Sequence, residues 1–208
     1  MNIVLQKGCL IVFEGIDGVG KSTQLQLLAS HLAQQGFDVI STKEPTNGSY
    51  GRKIRLLYSD RQQMSAGEEL ALFVEDRREH VDTLIGPGLE TNKIILCDRY
   101  VLSTIAYQGA AGADPREIAR MNDFAPRPDL VFIFEADPQS STRRITEQRG
   151  DSLNDFEQLE TLQRVAAHFR AMQESYIRRI DALQSIDTIH REVVSHVEGL
   201  IHNLIPSS

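Results

Sequence analysis

The sequence predicts an α/β fold in which helices cover both faces of a doubly wound, five-stranded parallel sheet. Short apolar runs alternate along the chain with segments whose apolar residues recur at helical spacing. The runs are apolar throughout, as is typical of parallel strands covered on both faces. A glycine-rich loop joins the first run to the first helical segment, which indicates a strand–loop–helix unit.

The strands are expected, in chain order, at Leu10–Phe13, Asp38–Thr42, Ile94–Cys97, Leu130–Phe134 and, on a weaker pattern, Ser185–Ile189. The helices are expected at Lys21–Gln35, Tyr50–Ser59, Gly67–Ile85, Pro115–Phe124 and Pro138–Gln148. A longer helix follows, in which apolar residues fall three or four apart from Leu153 to Tyr176. Gly86-Pro87-Gly88 is expected to end the helix before it sharply. Right-handed crossovers between the strands then give a doubly wound sheet.

Length and composition fit one domain over residues 1–208, long enough to bury a full core. The net charge of −7 argues against a broad nucleic-acid-binding surface. Cys9 and Cys97 lie in strand-like apolar runs, which suits buried, reduced thiols better than a disulfide framework. Met1 to Lys7 does not resemble a signal peptide, and no apolar run approaches the roughly 20 residues of a membrane span. We therefore expect a cytoplasmic protein.

The loop from Gly15 to Ser22 fits the pattern G-x-x-x-x-G-K-[ST] and lies between a predicted strand and a predicted helix. Its glycines allow successive backbone N–H groups to point into one concavity, and the positive end of the helix adds to the attraction for anions. Lys21 is expected to reach the β- and γ-phosphates of a nucleotide, and the Ser22 hydroxyl to bind Mg²⁺. The alternative is a glycine-rich turn that binds nothing.

Polar clusters follow four of the predicted strands, and ligands of such sheets bind outside the carboxyl ends of the strands. The clusters expected at one crevice are Glu14–Ser22, Lys43-Glu44-Pro45, Asp98-Arg99-Tyr100 and Glu135-Ala136-Asp137. Asp98 is a candidate for orienting hydrated Mg²⁺, or a helix cap. Arg99 offers a planar fork for phosphate oxygens, or a structural ion pair.

Other residues are more ambiguous when spacing alone is considered. Asp17 is an acid inside a phosphate-binding loop, so it is expected to bind a sugar hydroxyl, to act on the metal shell or to point outward. Phe73 and Arg77 lie four residues apart on one helix face and could stack on a base and donate to its carbonyl oxygens, or belong to the core and the surface. Two further groups of polar residues could contact a ligand or could simply face solvent. They are the hydrogen-bonding residues after Asp98 and the arginines after the fourth strand: Ser103, Thr104, Tyr107, Gln108, Arg143, Arg144 and Arg149.

Taken together, these residues resemble the thymidylate kinase family of P-loop nucleoside-monophosphate kinases. The resemblance covers residues 8 to 177 at least. Its most specific part is Asp98-Arg99-Tyr100 with the continuation Ser103-Thr104-x-x-Tyr107-Gln108. Glu44-Pro45, the pair Phe73 and Arg77, and Pro128-Asp129-Leu130-Val131 also match.

The resemblance implies Mg²⁺-dependent transfer of the ATP γ-phosphoryl group to dTMP, in a homodimer that binds neither nucleic acid nor membrane. It places the donor on Gly15, Asp17, Gly18, Val19, Gly20, Lys21, Ser22 and Thr23, with Arg144 on adenine and with Ser22 and Asp98 at the metal. It places dTMP on Asp17, Glu44, Arg55, Phe73, Arg77, Arg99, Ser103, Thr104, Tyr107 and Gln108. Within that set it implies stacking of Phe73 on thymine, a bond from Arg77 to O4, and a bond from the sugar 3′-hydroxyl to Asp17. The implied catalytic residues are Lys21, Arg99 and Arg149.

Two departures from the family pattern bear on these roles. Some members carry an arginine in the loop where this chain has Gly18, so the resemblance is to the bacterial kind, whose lid, here near residues 143–152, supplies the arginine. Many bacterial members have two glycines after Glu44-Pro45, whereas this chain has Thr46-Asn47-Gly48-Ser49-Tyr50-Gly51. The choice between Arg52 and Arg55 for the acceptor phosphate stays open at this point.

Two other functions compete with this hypothesis. The same scaffold could phosphorylate another nucleoside monophosphate or a deoxynucleoside, although Phe73, Arg77 and Tyr107 suit a pyrimidine on deoxyribose. A GTP-binding switch is the alternative from another class. Asn92-Lys93 hints at guanine recognition, but the aspartate two residues after the lysine is missing.

Overall fold

The computed structural model describes residues 3–57, 64–149 and 156–206, with the backbone alone for residues 148 and 149. Its centre is a parallel sheet of the five strands β1 (Cys9–Glu14), β2 (Val39–Lys43), β3 (Ile94–Asp98), β4 (Leu130–Glu135) and β5 (Ile177–Asp181). Their order in the sheet is β2-β3-β1-β4-β5, and every neighbouring pair is parallel. The doubly wound parallel sheet expected from the sequence is confirmed.

Helices lie between and after the strands. Their bounds are α1 (Lys21–Gln34), α2 (Ser49–Leu56), α3 (Ala66–His80), α4 (Gly86–Glu90), α5 (Val101–Ala110), α6 (Pro115–Met121), α7 (Pro138–Arg149), α8 (Leu159–Ala171) and α9 (Ile186–His202). A π-helical turn at Val81–Ile85 links α3 to α4. In the described part of the chain, no helix is both long and apolar enough to cross a membrane.

The middle of the sheet forms the core. All six residues of β1 are buried, as are most residues of β3 and β4, and Phe13 packs against Phe132 and Phe134 at ring-centroid distances of 5.6 and 5.9 Å. Each of these strands is covered by helices on both faces, so an unbroken apolar run is what the fold requires. The four runs predicted for β1 to β4 agree with the structure to within one residue at each end.

The prediction of the fifth strand is wrong. Ser185–Ile189 begins α9 instead, and the Ser185 hydroxyl caps that helix by accepting from the backbone N–H of Thr188. The true β5 carries Arg178 and Arg179, and Arg179 pairs with Glu135 on β4. Three of the five residues of β5 are exposed and charged, Arg178, Arg179 and Asp181, so it lacks the apolar run that identifies β1, β3 and β4.

Several helix boundaries also differ from the prediction. Gly86-Pro87-Gly88 does not end the helix: the chain stays helical from the π-helical turn at Val81–Ile85 into α4, with Pro87 in the first turn of α4. The expected helix to Tyr176 ends at Ala171, and Met172 is already extended. No helix is predicted over Val101–Ala110, where the sequence shows only a set of polar side chains, yet this segment forms α5. Parts of the helices expected over Tyr50–Ser59 and Leu153–Tyr176 lie outside the described residues.

The register of the strands explains which polar clusters meet. Phe13 of β1, Asp98 of β3 and Lys43 of β2 are paired at one level, so the chain leaves these three strands along the same edge. The clusters after β1, β2 and β3 therefore converge as expected. The cluster after β4 does not join them, because Glu135-Ala136-Asp137 lines a separate cavity with Ile16 and Phe169.

We predict that Gly51→Ala destabilises the fold. A Cβ atom at Gly51 would lie 2.0 Å from the carbonyl oxygen of Thr46, so backbone must move to admit it. We expect the free energy of unfolding to fall by about 1–3 kcal/mol, the usual cost of overpacking. Urea denaturation measures this. Gly199→Ala on α9 is the control, since nothing lies near its added methyl and the change favours the helix. Equal stability of the two variants would contradict the prediction.

Candidate active site

Two cavities lie side by side at the carboxyl ends of β1, β2 and β3. The first, here the loop cavity, has a volume of about 660 Å³ and is lined by residues 17–24 together with Lys43, Arg55, Asp98, Arg144, Ala182, Gln184 and Ile186. The second, here the aromatic cavity, has a volume of about 160 Å³ and is lined by Phe73, Arg77, Tyr100, Ser103, Thr104, Tyr107, Gln108, Phe156 and Glu157. Asp17, Glu44, Pro45 and Arg99 line both. Two ligands, one bound in each cavity, would therefore meet at these four residues.

The loop after β1 has the backbone of an anion cradle. Gly15, Gly18 and Gly20 have φ angles of 131°, 77° and 90°, which L side chains rarely adopt. The chain then enters α1 at Lys21, so the amino end of that helix faces the loop cavity. A Cβ atom at Gly18 would lie 2.8 Å from the Ser141 carbonyl oxygen of α7. A side chain at position 18 would therefore force the loop or α7 to move.

Lys21 lies under the loop with its ammonium group poorly solvated. Its side chain is 6% exposed, and Nζ donates to the Ile16 carbonyl oxygen at 2.8 Å. Burial, and then the positive charge of Arg99, lower the pKa of Lys21 to about 8, although Asp98, Asp17 and Glu14 oppose the shift. An incoming phosphate would supply the negative charge that this buried cation lacks.

Ser22 and Asp98 bring two oxygen ligands together at the mouth of the loop cavity. The Ser22 hydroxyl donates to Asp98 Oδ2 at 2.5 Å. A hydroxyl and a carboxylate are hard donors that suit Mg²⁺, which usually takes one or two protein ligands and completes its shell with water and phosphate. No cluster of three or more acidic, histidine or cysteine ligands occurs among the described residues. The donor set therefore fits a magnesium ion brought with a nucleotide.

Asp17 and Arg99 form an ion pair where the two cavities meet. Arg99 Nη2 donates to Asp17 Oδ1 at 2.7 Å, and the Tyr107 hydroxyl donates to Asp17 Oδ2 at 2.8 Å. Burial raises the pKa of Asp17, but the charges of Arg99 and Lys21 and these hydrogen bonds outweigh it and hold that pKa at about 2. The carboxylate is therefore ionised throughout the physiological range.

Arg99 takes an unusual backbone conformation. Its φ angle is 71°, and its N–H donates to the Phe13 carbonyl oxygen at 2.9 Å. This left-handed residue turns the chain from β3 into α5 and points the guanidinium back at the loop, where Nη1 donates to the Gly15 carbonyl and to the Ser103 hydroxyl. The sequence indicates Arg99 as a ligand for phosphate, but no pattern in it indicates this left-handed backbone.

Glu14 fixes the start of α5, a role that the sequence pattern does not indicate. It is fully buried and accepts from the backbone N–H groups of Tyr100 and Ser103 and from the Ser103 hydroxyl. Ser103, expected to contact substrate, thus has its hydroxyl between Glu14 and Arg99. Burial raises the pKa of Glu14 to about 7 against the bonds from Ser103 and Tyr100 and the charge of Arg99.

Arg77 lies at the bottom of the aromatic cavity and is 1% exposed. Its Nε and Nη2 donate to Glu44 Oε2, Nη2 also donates to Thr104, and Nη1 donates to Asn122 Oδ1 at 2.6 Å. His80 holds the other oxygen of Glu44 at 3.1 Å. One Nη1 hydrogen keeps no acceptor among the described residues. Asn122 and the buried His80 were not anticipated from the sequence, whereas Arg77, Glu44 and Thr104 were.

Gln108 presents an unsatisfied acceptor at the same cavity. The side chain is 3% exposed, and Nε2 donates to Glu69 Oε1 at 2.8 Å, which fixes the orientation of the amide. Its Oε1 is buried and has no hydrogen-bond partner within the described ranges. Phe73 lines the wall of this cavity, and Phe156 and Glu157, which precede α8, line another part of it. The last two were not singled out from the sequence.

The remaining arginines differ in whether they line the loop cavity or face solvent. Arg55 lines the loop cavity and donates to the Pro45 carbonyl at 3.1 Å, whereas Arg52 is exposed and donates to the Asn47 carbonyl. Arg144 lines the loop cavity near Ala182, while Arg143 is exposed beside Glu147. The side chain of Arg149 and the lid beyond it, to residue 152, lie outside the described residues. The segment Ala182–Ile186, which closes the far side of the loop cavity, was missed together with β5.

Comparison with known proteins gives one consistent answer. The family model described as thymidylate kinase matches residues 13–193. The chain is 52% identical over 194 residues to a thymidylate kinase of Desulfotalea psychrophila, covering 93% of this chain and 96% of that one. It is 40% identical to a probable thymidylate kinase of Pyrococcus abyssi over 92% and 97% of the two chains. The crystal structure of thymidylate kinase from Ehrlichia chaffeensis is similar at a TM-score of 0.71 and 31% identity, covering 92% and 98%.

We predict that Glu14 makes stability fall as pH rises. The pKa of Glu14 is about 7 in the fold against an ordinary value of 4.5, so between these values the folded chain keeps a proton that the unfolded chain has lost. The free energy of unfolding should fall across this window by on the order of 3 kcal/mol from this group. Glu14→Gln, which cannot ionise, should therefore gain stability relative to wild type between pH 5 and 7.5.

Urea denaturation at several pH values measures that difference. Glu192→Gln, at an exposed position of α9, is the matched control and is expected to follow the wild-type curve. A difference between Glu14→Gln and wild type that stayed constant with pH would refute the assignment.

Proposed function

Because the chain belongs to the thymidylate kinase family, we propose that it transfers the γ-phosphoryl group of ATP to the 5′-phosphate of dTMP, giving dTDP and ADP. The observation that carries this proposal is the junction of the two cavities at Asp17 and Arg99. A nucleoside triphosphate bound on the loop and a monophosphate bound through the aromatic cavity would bring their phosphates together there.

The donor is assigned to the loop cavity. The backbone of Gly15, Asp17, Gly18, Val19 and Gly20 and the amino end of α1, with Thr23, would cradle the phosphates, and Lys21 would reach the β- and γ-phosphates. A bound Mg²⁺, held by Ser22 and Asp98, would neutralise phosphate charge. Arg144 would lie on the adenine, beside Ala182, to whose carbonyl oxygen it donates at 3.3 Å.

The base of the acceptor is assigned to the aromatic cavity. Phe73 would stack on thymine, and the remaining Nη1 hydrogen of Arg77 would be donated to O4. The buried Oε1 of Gln108 is suited to accept the N3–H of thymine, which would remove the cost of an unsatisfied buried acceptor. Cytosine has no hydrogen at N3, so the same oxygen would disfavour dCMP. Thr104 would lie along the base and keeps Arg77 in place.

The sugar is assigned to Asp17 and Tyr107. Each carboxylate oxygen of Asp17 already accepts one hydrogen bond, and a carboxylate has room for about four, so it can also accept from the 3′-hydroxyl. The ring of Tyr107 would lie beneath the sugar, where a 2′-hydroxyl would clash. These contacts favour a deoxyribonucleotide.

Catalysis by these residues consists of positioning and charge neutralisation. The acceptor phosphate is already an oxyanion, so no strong base is needed. Arg99 and Arg55 would hold that phosphate, while Lys21 and the loop amides would stabilise the charge on the transferred group. Arg149 would come over the transferred phosphoryl group, a role that rests on the family resemblance because its side chain lies outside the described residues.

We also infer a homodimer in the cytoplasm, which acts on small-molecule substrates and binds neither nucleic acid nor membrane. The net charge of −7 argues against a nucleic-acid surface, and the free, buried Cys9 and Cys97 suit a reducing compartment. The homodimer rests on the family resemblance.

We predict that, with Mg²⁺ and ATP, the purified chain releases ADP fastest with dTMP among a panel of dTMP, dCMP, dGMP and thymidine. Thymidine should be a poor acceptor because it brings no phosphate to Arg55 and Arg99. Lys21→Ala should lower turnover with dTMP by on the order of a hundredfold or more, since it removes a charge that acts on the transferred group. A coupled spectrophotometric assay of ADP measures both effects.

Each competing function has its own signature in this panel. Equal rates with dTMP and dCMP would remove the role of Gln108 and Arg77 in base selection. Tight GTP binding without transfer to any acceptor would favour a nucleotide switch over a kinase.

A further inference from the structure

A buried carboxylate on α3 has no part in the function proposed so far. Asp76 is 1% exposed and lies next to Arg77 in sequence, yet its side chain faces the loop that follows β2 rather than the aromatic cavity. Its Oδ2 accepts from the Thr46 N–H at 2.8 Å, and its Oδ1 accepts from the Thr46 hydroxyl at 2.7 Å. Both carboxylate oxygens of Asp76 thus accept hydrogen bonds from Thr46.

Thr46 is the centre of the loop between β2 and α2. Its hydroxyl oxygen accepts from the N–H of Gly48 at 2.9 Å, while its own hydrogen goes to Asp76. The first turn of α2 rests on it so closely that a Cβ atom at Gly51 would lie 2.0 Å from the Thr46 carbonyl oxygen. Asp76 therefore fixes the loop, and through the loop it fixes the start of α2.

Arg55 on α2 depends on the same loop. Its Nη1 donates to the Pro45 carbonyl at 3.1 Å and its Nη2 approaches Asn47 Oδ1 at 3.4 Å, so the guanidinium bonds to the residues on either side of Thr46. Arg55 lines the loop cavity beside Pro45 and Arg99. Displacement of Thr46 would move both bonds that hold this guanidinium.

We propose that Asp76 is a positioning residue for the acceptor phosphate, acting through Thr46 to place Arg55. This inference rests on the proposed function. Asp76 and Arg77 then make α3 the common support of the acceptor, with Arg77 directed at the base and Asp76 directed at the loop that carries the phosphate contact.

The test compares the binding of dTMP with that of thymidine, which lacks the phosphate. In Asp76→Asn, which keeps the shape of the side chain but loses one acceptor, the affinity for dTMP should fall about tenfold, the usual size for a hydrogen bond to a charged group. The affinity for thymidine and the KM for ATP should stay within about twofold of wild type. Calorimetric titration of each ligand gives the two affinities. Glu75→Gln, on the exposed side of the same helix, is the matched control and should change neither.

A second pair of variants tests the same link without touching Asp76. Thr46→Val removes the hydroxyl at constant shape and should reproduce the selective loss for dTMP, whereas Thr46→Ser keeps the hydroxyl and should bind dTMP as wild type does. In the double variant Asp76→Asn/Thr46→Val, the loss should be no larger than in either single variant.

Two results would overturn the inference. One is an unchanged ratio of dTMP to thymidine affinity in Asp76→Asn, whether both affinities stay as in wild type or fall equally, and the other is identical behaviour of Thr46→Val and Thr46→Ser. Failure of the proposed function is distinguishable, because the wild-type chain would then not phosphorylate dTMP at all.

Discussion

The ion pair between Arg99 and Asp17 is the constraint on which the rest of the site depends. It spans 2.7 Å at the line where the loop cavity and the aromatic cavity meet, and each partner belongs to a different strand end. Arg99 can reach this point because it leaves β3 in a left-handed conformation, and Glu14 anchors the helix that follows. The Asp17 carboxylate thereby holds the Arg99 guanidinium at the junction before any phosphate binds. Arg77 is likewise held by an acid and by neutral partners, but it lines only the aromatic cavity and not the junction.

The sequence was sufficient for the part of the fold in which each strand is buried on both faces. The strands β1, β3 and β4 gave unbroken apolar runs, and the loop after β1 had glycines where its backbone needs positive φ angles. It failed at β5, where exposure at the sheet edge replaces apolar residues with arginines, and at Ser185, whose role as a helix cap cannot be seen in a pattern of hydrophobicity. Helix α5 was missed because its buried face is largely polar: Ser103, Thr104, Tyr107 and Gln108.

The sequence also predicted which residues gather at the site better than how they act on one another. Asp17, Glu44, Phe73, Arg77 and Arg99 all line the aromatic cavity, as expected. Their mutual hydrogen bonds could not be inferred, because those bonds join elements far apart in the chain, such as Arg77 with Asn122 and Glu14 with Ser103. The same limit applies to Asp76, which is one more acid on a helix until the position of Thr46 is known.

The most direct measurement of the central claim is the turnover of Arg99→Gly. Glycine adopts the left-handed backbone at residue 99 without strain, so this change removes the guanidinium and leaves the path of the chain from β3 to α5 intact. We predict that the variant folds with a lowered midpoint of thermal unfolding, because Asp17 loses its ion-pair partner. The kcat with dTMP should fall by on the order of 10²–10³, the size found when one group that stabilises transition-state charge is removed. A variant that folds and keeps more than about a tenth of wild-type turnover would contradict the role given to Arg99.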